Sequence, residues 1–451
     1  MRRKKESCFL CLKISLSRNK SYRVKTKIAL TIIALCTLTA ACSGCSVSRS
    51  SNQVVELSRS TDSISYQTLG RVVGHSIVIG SPVDLGGKQC FLPKDFTLDF
   101  KGGIIKNGIL IGNGTKIERG NEAVFDHVTI EGNWIVPEIS SKMFKDLHYD
   151  NAVRNVVALA SPSVHNRIVI EKGDYPVSVQ RESETCLLIE SNTELILKGT
   201  VQLKPNAFKT YYILKLVGDS IAISGGGAII GDKPNHQGNE GEWGMGIEFT
   251  GAKNASVKDI TVKDCWGDCI YVGKESEHIT IDNCLLDNGR RQGISVTDAD
   301  GVIIRNCRIV NISGISPEYA IDIEPNVNCS IDHVLIENVV VENCEGGIIT
   351  SRGRSDFDKK RIGEVSVLNC TVTALKKYPI RMKRCELARV EGCTVYENGN
   401  RHSISSDGSV DVTIRNNTIV KENRLLSVKK IATVKIEGAD RKVEADNRVV
   451  K

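Results

Sequence analysis

GDCIYVGKESEHITIDNCLLDNGRRQGISVTDADGVIIRNC, residues 267–307, holds one structural unit and its near-copy. Each copy has a Gly-led β-branched run (GDCIYV, then QGISV), a second run (HITI, then VIIR) and a closing Asn-Cys. Working outward, the same unit recurs in GMGIEF, AIDIEP, GGIIT, YPIRM and HSISS. The central isoleucines are Ile247, Ile270, Ile294, Ile321, Ile348, Ile380 and Ile404, spaced by 23, 24, 27, 27, 32 and 24 residues. A second series, Ile260, Cys284, Cys307, Val339, Cys370, Cys393 and Asn417, follows these anchors by 13 or 14 residues in five of seven units. Asn283, Asn306, Asn338, Asn369 and Asn416 immediately precede it, and Asp264, Asn288, Asn311 and Asn343 lie four residues beyond.

A period near 24 with short β-branched strands and Gly/Asn turns predicts an all-β fold, a right-handed parallel β-helix in which each unit is one coil. Helical repeats require long 3.6-period stripes, and the chain has none. Coils stack at about 4.8 Å, so like residues form rows. The Asn series predicts amides bonding to one another up the stack, and the Cys series predicts small core fillers that remain thiols.

Residues 76–140 show looser strands with Gly turns and predict an N-terminal β-rich module. The segment MFKDLHYDNAVRNVVALA (143–160) predicts an amphipathic capping helix, and the β-helix proper is expected over 141–451. The formal net charge of +7 is misleading, because residues 1–27 hold ten Lys/Arg against one acid. Without that +9 the remaining chain carries −2, which excludes an electrostatic footprint for nucleic acid. The uncharged run Ile28–Cys42 behind this cationic start predicts an exported protein with a signal peptide or lipoprotein leader over 1–45; in the lipoprotein case Cys42 is the candidate for the lipid anchor and Cys45 the second. A Ser-rich tether is expected over 46–75.

Side chains alternate along a strand, so inward anchors place the residues one and three positions later on the outer face. The first outward row reads Glu248, Tyr271, Ser295, Asp322, Ile349, Arg381, and the second reads Thr250, Gly273, Thr297, Glu324, Ser351, Lys383. Asp322 and Glu324 are the sharpest pair, with backbones about 7 Å apart on one face. Paired carboxylates at such distances serve glycoside hydrolysis, one as acid and one as nucleophile or base. Asp268 lies two coils away and is a third catalytic candidate. Arg290, Arg291, Gln292, Tyr271, Glu248 and Trp243 are candidates for substrate binding. No metal or cofactor is called for. A solvated acidic patch is the plain alternative for the carboxylates, as a turn salt bridge is for the arginines.

The motifs GEWGMGI (241–247), CWGDCIY (265–271), NGRRQGIS (288–295) and AIDIEPN (320–326) resemble those of pectin-lyase-like right-handed β-helix proteins, a bacterial carbohydrate-active family with Bacteroides-type exported members. The resemblance spans roughly residues 145–420 and implies a polysaccharide or oligosaccharide partner. The chain is more distantly similar to polygalacturonase-type glycoside hydrolases, whose second motif is retained at Asp268. Their first-motif Asp falls at Met245, their His at Gln292, and their Arg and Lys at Asp322 and Glu324. The resemblance therefore carries no polygalacturonase chemistry to this site, and a neutral or differently charged glycan is expected. Glycoside hydrolase is the leading reading. Polysaccharide lyase and non-catalytic glycan-binding or surface structural protein are the alternatives.

Overall fold

The computed structural model describes residues 75–119, 123–352, 359–421 and 433–450, with the backbone of a strand at Val54–Glu56. The leader and Cys42 lie outside the described residues. Asn52–Lys451 forms one compact unit. It is a right-handed parallel β-helix with three strand faces around one continuous apolar core.

On the first face, Ile270–Gly273, Ile294–Val296, Tyr319–Ile323, Gly346–Thr350, Ile380–Lys383 and Ile404–Asp407 pair in parallel, each with the next. The register places all seven anchor isoleucines, from Ile247 to Ile404, opposite one another. Every one is fully buried. Each is worth ~1.5–3 kcal/mol relative to exposure, and a one-residue slip would turn the whole row to water. The second face is built by Ser276–Asp282, Ala299–Arg305 and Ser330–Glu337 and their successors, and the third by Leu285–Asp287, Arg308–Val310 and Val340–Cys344.

The turn between the second and third faces needs one residue in the left-handed region. Asn283, Asn306, Asn338, Asn369 and Asn416 occupy it with φ between 52° and 57°. Asn tolerates this conformation because its short amide bonds locally. The expected amide-to-amide ladder is only partly formed. Asn338 donates to Asn306 (3.4 Å), but Asn283 donates to Asp259 (2.6 Å) and Asn306 to Asp282 (2.8 Å). A carboxylate within reach on the preceding coil is the stronger acceptor and captures the amide. Behind the turn, Cys284, Cys307, Cys370 and Cys393 are buried free thiols, as the spacing predicts.

The N-terminal strands are also parallel coils. Ser76–Ile79 pairs with Thr97–Phe100, which pairs in turn with Ile105–Arg119 at Lys116–Arg119. Glu138–Ser140 then pairs with Asn166–Ile170, so this stack continues into the main β-helix. The segment 143–160 departs from the helical expectation. Its apolar residues Met143, Phe144, Leu147, Val153, Val156 and Leu159 are buried, but only Arg154–Val157 is α-helical. Asp146 Oδ1 accepts the His148 N–H (2.9 Å) and Asn151 has φ 62°, so local side-chain bonding breaks the helix before it propagates.

Asn306→Ala should cost ~1–2 kcal/mol, because Ala is strained in the left-handed region and the bond to Asp282 is lost. Asn306→Gly should recover part of that loss. Thermal melts compare the two; equal destabilisation would mean that backbone conformation is not why Asn sits there.

Candidate active site

The outer side of the first face carries a cleft of ≈ 260 Å³ lined by Trp243, Tyr271, Arg291, Ser295, Thr297, Asp322, Glu324, Pro325, Asn326 and Lys360. Its floor follows from strand alternation, since register sets Tyr271, Ser295 and Asp322 side by side on successive coils. Gly273 leaves the room this floor needs. A Cβ there would lie 2.6 Å from Thr297 Oγ1, which donates to the Tyr271 hydroxyl at 2.8 Å.

Asp322 is 3% exposed, at the bottom of the cleft. Gln292 Nε2 donates to its Oδ2 at 2.6 Å, while the Tyr319 backbone N–H donates to Gln292 Oε1 at 2.9 Å. The amide is thus fixed in orientation, and it fixes one Asp322 oxygen. The other, Oδ1, is buried with no hydrogen-bond partner. Burial and then the Glu324 charge push the Asp322 carboxyl up to about 7, against the opposing pull of Arg291 and Gln292.

Asp268 is fully buried beneath this floor. Arg291 Nη1 donates to both of its oxygens (3.2 and 2.9 Å), and Ser295 Oγ donates to Oδ2 at 2.7 Å. Burial raises its pKa, and these partners oppose the shift. Burial also opposes the charge of Arg291, but Asp268 outweighs it and holds the guanidinium above its ordinary value. Arg291 Nε faces Glu242 at 3.7 Å and has no hydrogen bond. Two buried atoms beside the cleft thus lack hydrogen-bond partners, the acceptor Asp322 Oδ1 and the donor Arg291 Nε, which keeps only its longer ion-pair contact to Glu242. Buried groups of this kind are costly unless something bonds them.

The remaining expected residues divide. Trp243, 48% exposed, and Tyr271 line the cleft. The Tyr271 hydroxyl is occupied by Thr297 and Asn326, which leaves its ring to meet a ligand. Gln292 acts from below through Asp322. Arg290 turns away, with its guanidinium 3.7 Å over the Trp266 ring and Nη1 donating to the Gly241 carbonyl at 2.8 Å. Trp266 also stacks on His236 at 4.0 Å, and His236 Nδ1 bonds Asp232 at 2.9 Å, so these residues pin the 236–243 loop. Glu248 is buried on the same row but outside the cleft, 3.6 Å from Lys215 and 3.9 Å from Lys274. Ser295 and Thr297 stood in the outward rows without being singled out. Asn326 and Lys360 had no periodic signal, since both arrive on connections between strands. Among the described residues, no group of three or more His, Cys, Asp or Glu is placed to hold a metal.

Comparison with known proteins supports the β-helix. The family model described as "Right handed beta helix region" matches residues 212–362. Two curated Bacillus subtilis (strain 168) proteins are similar. The SPbeta prophage-derived uncharacterized protein YorA is 30% identical over 30% of this chain and 27% of its own length. The uncharacterized protein YclG is 27% identical over 42% of this chain and 38% of its own length. The chain thus spans between a quarter and two fifths of the relatives it matches. Among solved structures, the mannuronan C-5 epimerase AlgE4 A-module of Azotobacter vinelandii aligns at TM-score 0.44 and 11% identity, covering 67% of this chain and 92% of its own. The Yersinia enterocolitica family 28 exopolygalacturonase aligns at 0.41 and 11%, covering 71% and 79%. These likenesses say nothing of this chain's reaction.

The raised Asp322 pKa has a consequence for stability. Between the carboxylate range of the unfolded chain and about pH 7, the folded chain keeps a proton that the unfolded chain has released. That contribution is complete at low pH and is lost as pH rises through 7. Asp322→Asn should therefore gain on wild type with rising pH, by about 2–6 °C in melting midpoint at pH 8 relative to pH 4. A difference that stays flat across this range would mean the carboxyl titrates at its ordinary value.

Proposed function

We propose that this β-helix is an exported polysaccharide-active protein whose cleft hydrolyses a glycosidic bond. The observation that carries the reading is Asp322, a buried carboxyl poised near neutral pH that lines the same cleft as Glu324, with one oxygen clamped by Gln292 and the other buried without a partner. Protonated, it is suited to deliver a proton to a leaving oxygen, and Glu324, one residue past the end of the strand Tyr319–Ile323 and lining the same cleft, is suited to act as the base or nucleophile. Arg291, held by Asp268, lines the cleft and is suited to bond a sugar hydroxyl from its guanidinium. Asp268 in this account is a positioning residue. Trp243 and Tyr271 offer ring faces to the apolar sides of a sugar.

The charge balance favours hydrolysis over elimination. With Asp322 protonated, Asp268 and Glu324 balance Arg291 and Lys360, so the cleft and its floor offer no net positive charge to the uronate that a lyase must bind. Export rests on the cationic start and the apolar run Ile28–Cys42, and Cys42 is the residue we assign to lipid attachment.

A panel of plant and host glycans, assayed for new reducing ends, tests the proposal. Wild type should cleave at least one, and Asp322→Asn and Glu324→Gln should each lower the rate about 10²-fold or more. Activity should fall as pH rises above about 7, where Asp322 loses its proton. A product with the absorbance of an unsaturated uronate, or full activity in both variants, would overturn it.

A further inference from the structure

The outward row continues past the cleft in register, Asp322 to Ile349 to Arg381 to Ser405. Two coils, about 10 Å, separate Asp322 from Arg381. Over that distance the character of the surface inverts. The Arg381 guanidinium lies 4.4 Å over the Tyr378 ring, and that of Arg401 lies 5.5 Å from the same ring. Arg381 Nη2 donates to Asp407 at 3.1 Å, a bond that steadies the fork while using one of its five N–H groups. Ser405, the next residue in the row, is 5% exposed, and its Oγ is buried without a hydrogen-bond partner. An unsatisfied hydroxyl of this kind costs ~1–3 kcal/mol unless a ligand oxygen bonds it.

We infer that Arg381, Arg401 and Ser405, on the platform of Tyr378, form a subsite for an anionic substituent of the glycan, a carboxylate or a sulfate ester. The inference rests on the reading that a glycan lies along this row. A planar guanidinium matches both anions with paired N–H bonds, and its aromatic support removes much of the freedom it would otherwise lose on binding. The substrate class becomes narrower: a heteroglycan with a non-acidic residue over Asp322 and Glu324 and an acidic residue about 10 Å further toward the C-terminal coils.

Affinity electrophoresis of the full chain in gels containing polygalacturonate, carrageenan or galactomannan tests this without requiring turnover. Wild type and Asp322→Asn should both be retarded by the carboxylated gel, the sulfated gel or both, and less by neutral galactomannan; the gel that retards them identifies the anion. Combined Arg381→Ala and Arg401→Ala should weaken that retardation about tenfold. Arg305→Ala with Arg308→Ala, which removes equal charge from the other two faces, should leave it unchanged. Ser405→Ala should weaken anion binding without lowering the melting midpoint, a combination that a purely structural hydroxyl would not give. Equal retardation in neutral and anionic gels, no retardation in any, or equal loss in the two double variants would overturn the subsite. If no glycan is cleaved while retardation still depends on Arg381, the hydrolase reading fails and the subsite stands.

Discussion

Parallel stacking of coils at about 4.8 Å is the constraint on which the rest of the molecule depends. Once Ile247, Ile270, Ile294, Ile321, Ile348, Ile380 and Ile404 share one inward row, alternation decides every neighbour. The same register that keeps these isoleucines dry sets Tyr271, Ser295 and Asp322 side by side on the outer face. Core and cleft are two sides of the same strands, so a slip that damaged one would dismantle the other. Rigid strands also hold site side chains more tightly than loops do.

The cleft concentrates buried charge that the fold alone does not require. Asp268 is neutralised by Arg291 and bonded by Ser295, an arrangement that satisfies its oxygens. Asp322 is treated differently. Its one side-chain partner is the Gln292 amide, and Glu324 stands beside it, so the proton is retained toward neutral pH. Burial shifts both carboxyls upward, two coils apart, but at Asp268 the ion pair with Arg291 and the Ser295 bond oppose the shift, whereas at Asp322 the charge of Glu324 adds to it. Arg291 joins them, since its charge is anchored by Asp268 and also tempers the shift of Asp322.

The repeat was legible because period, turn residues and strand alternation all reflect the same register. The seven anchors, the Asn turns and the reduced Cys fillers followed from spacing, whereas the left-handed backbone at those turns is seen only in the structure. The outward row was legible for the same reason, and it contained Asp322, Glu324, Tyr271 and Ser295. What spacing does not encode is where a long side chain goes. Arg290 and Arg291 are adjacent in sequence, yet one stacks on Trp266 and the other reaches Asp268. Glu248 lies in the right row but on a coil flanked by Lys215 and Lys274, outside the cleft. Lys360 enters on the connection between Gly346–Thr350 and Arg361–Ile362, in a coil of 32 residues rather than about 24, so no repeat pattern points to it. The apolar stripe at 143–160 is buried as its periodicity requires, but Asp146 and Asn151 favour local turns and only Arg154–Val157 is helical.

The protonation state of Asp322 is the central claim, and it can be measured without knowing the glycan. Infrared difference spectra of the carboxyl stretch, recorded across pH 4 to 9 for wild type minus Asp322→Asn, isolate this one group. The account predicts a protonated carboxyl at pH 5 that ionises with a midpoint near 7. Ionisation complete by pH 5 would contradict it, because Asp322 would then have no proton to donate at neutral pH.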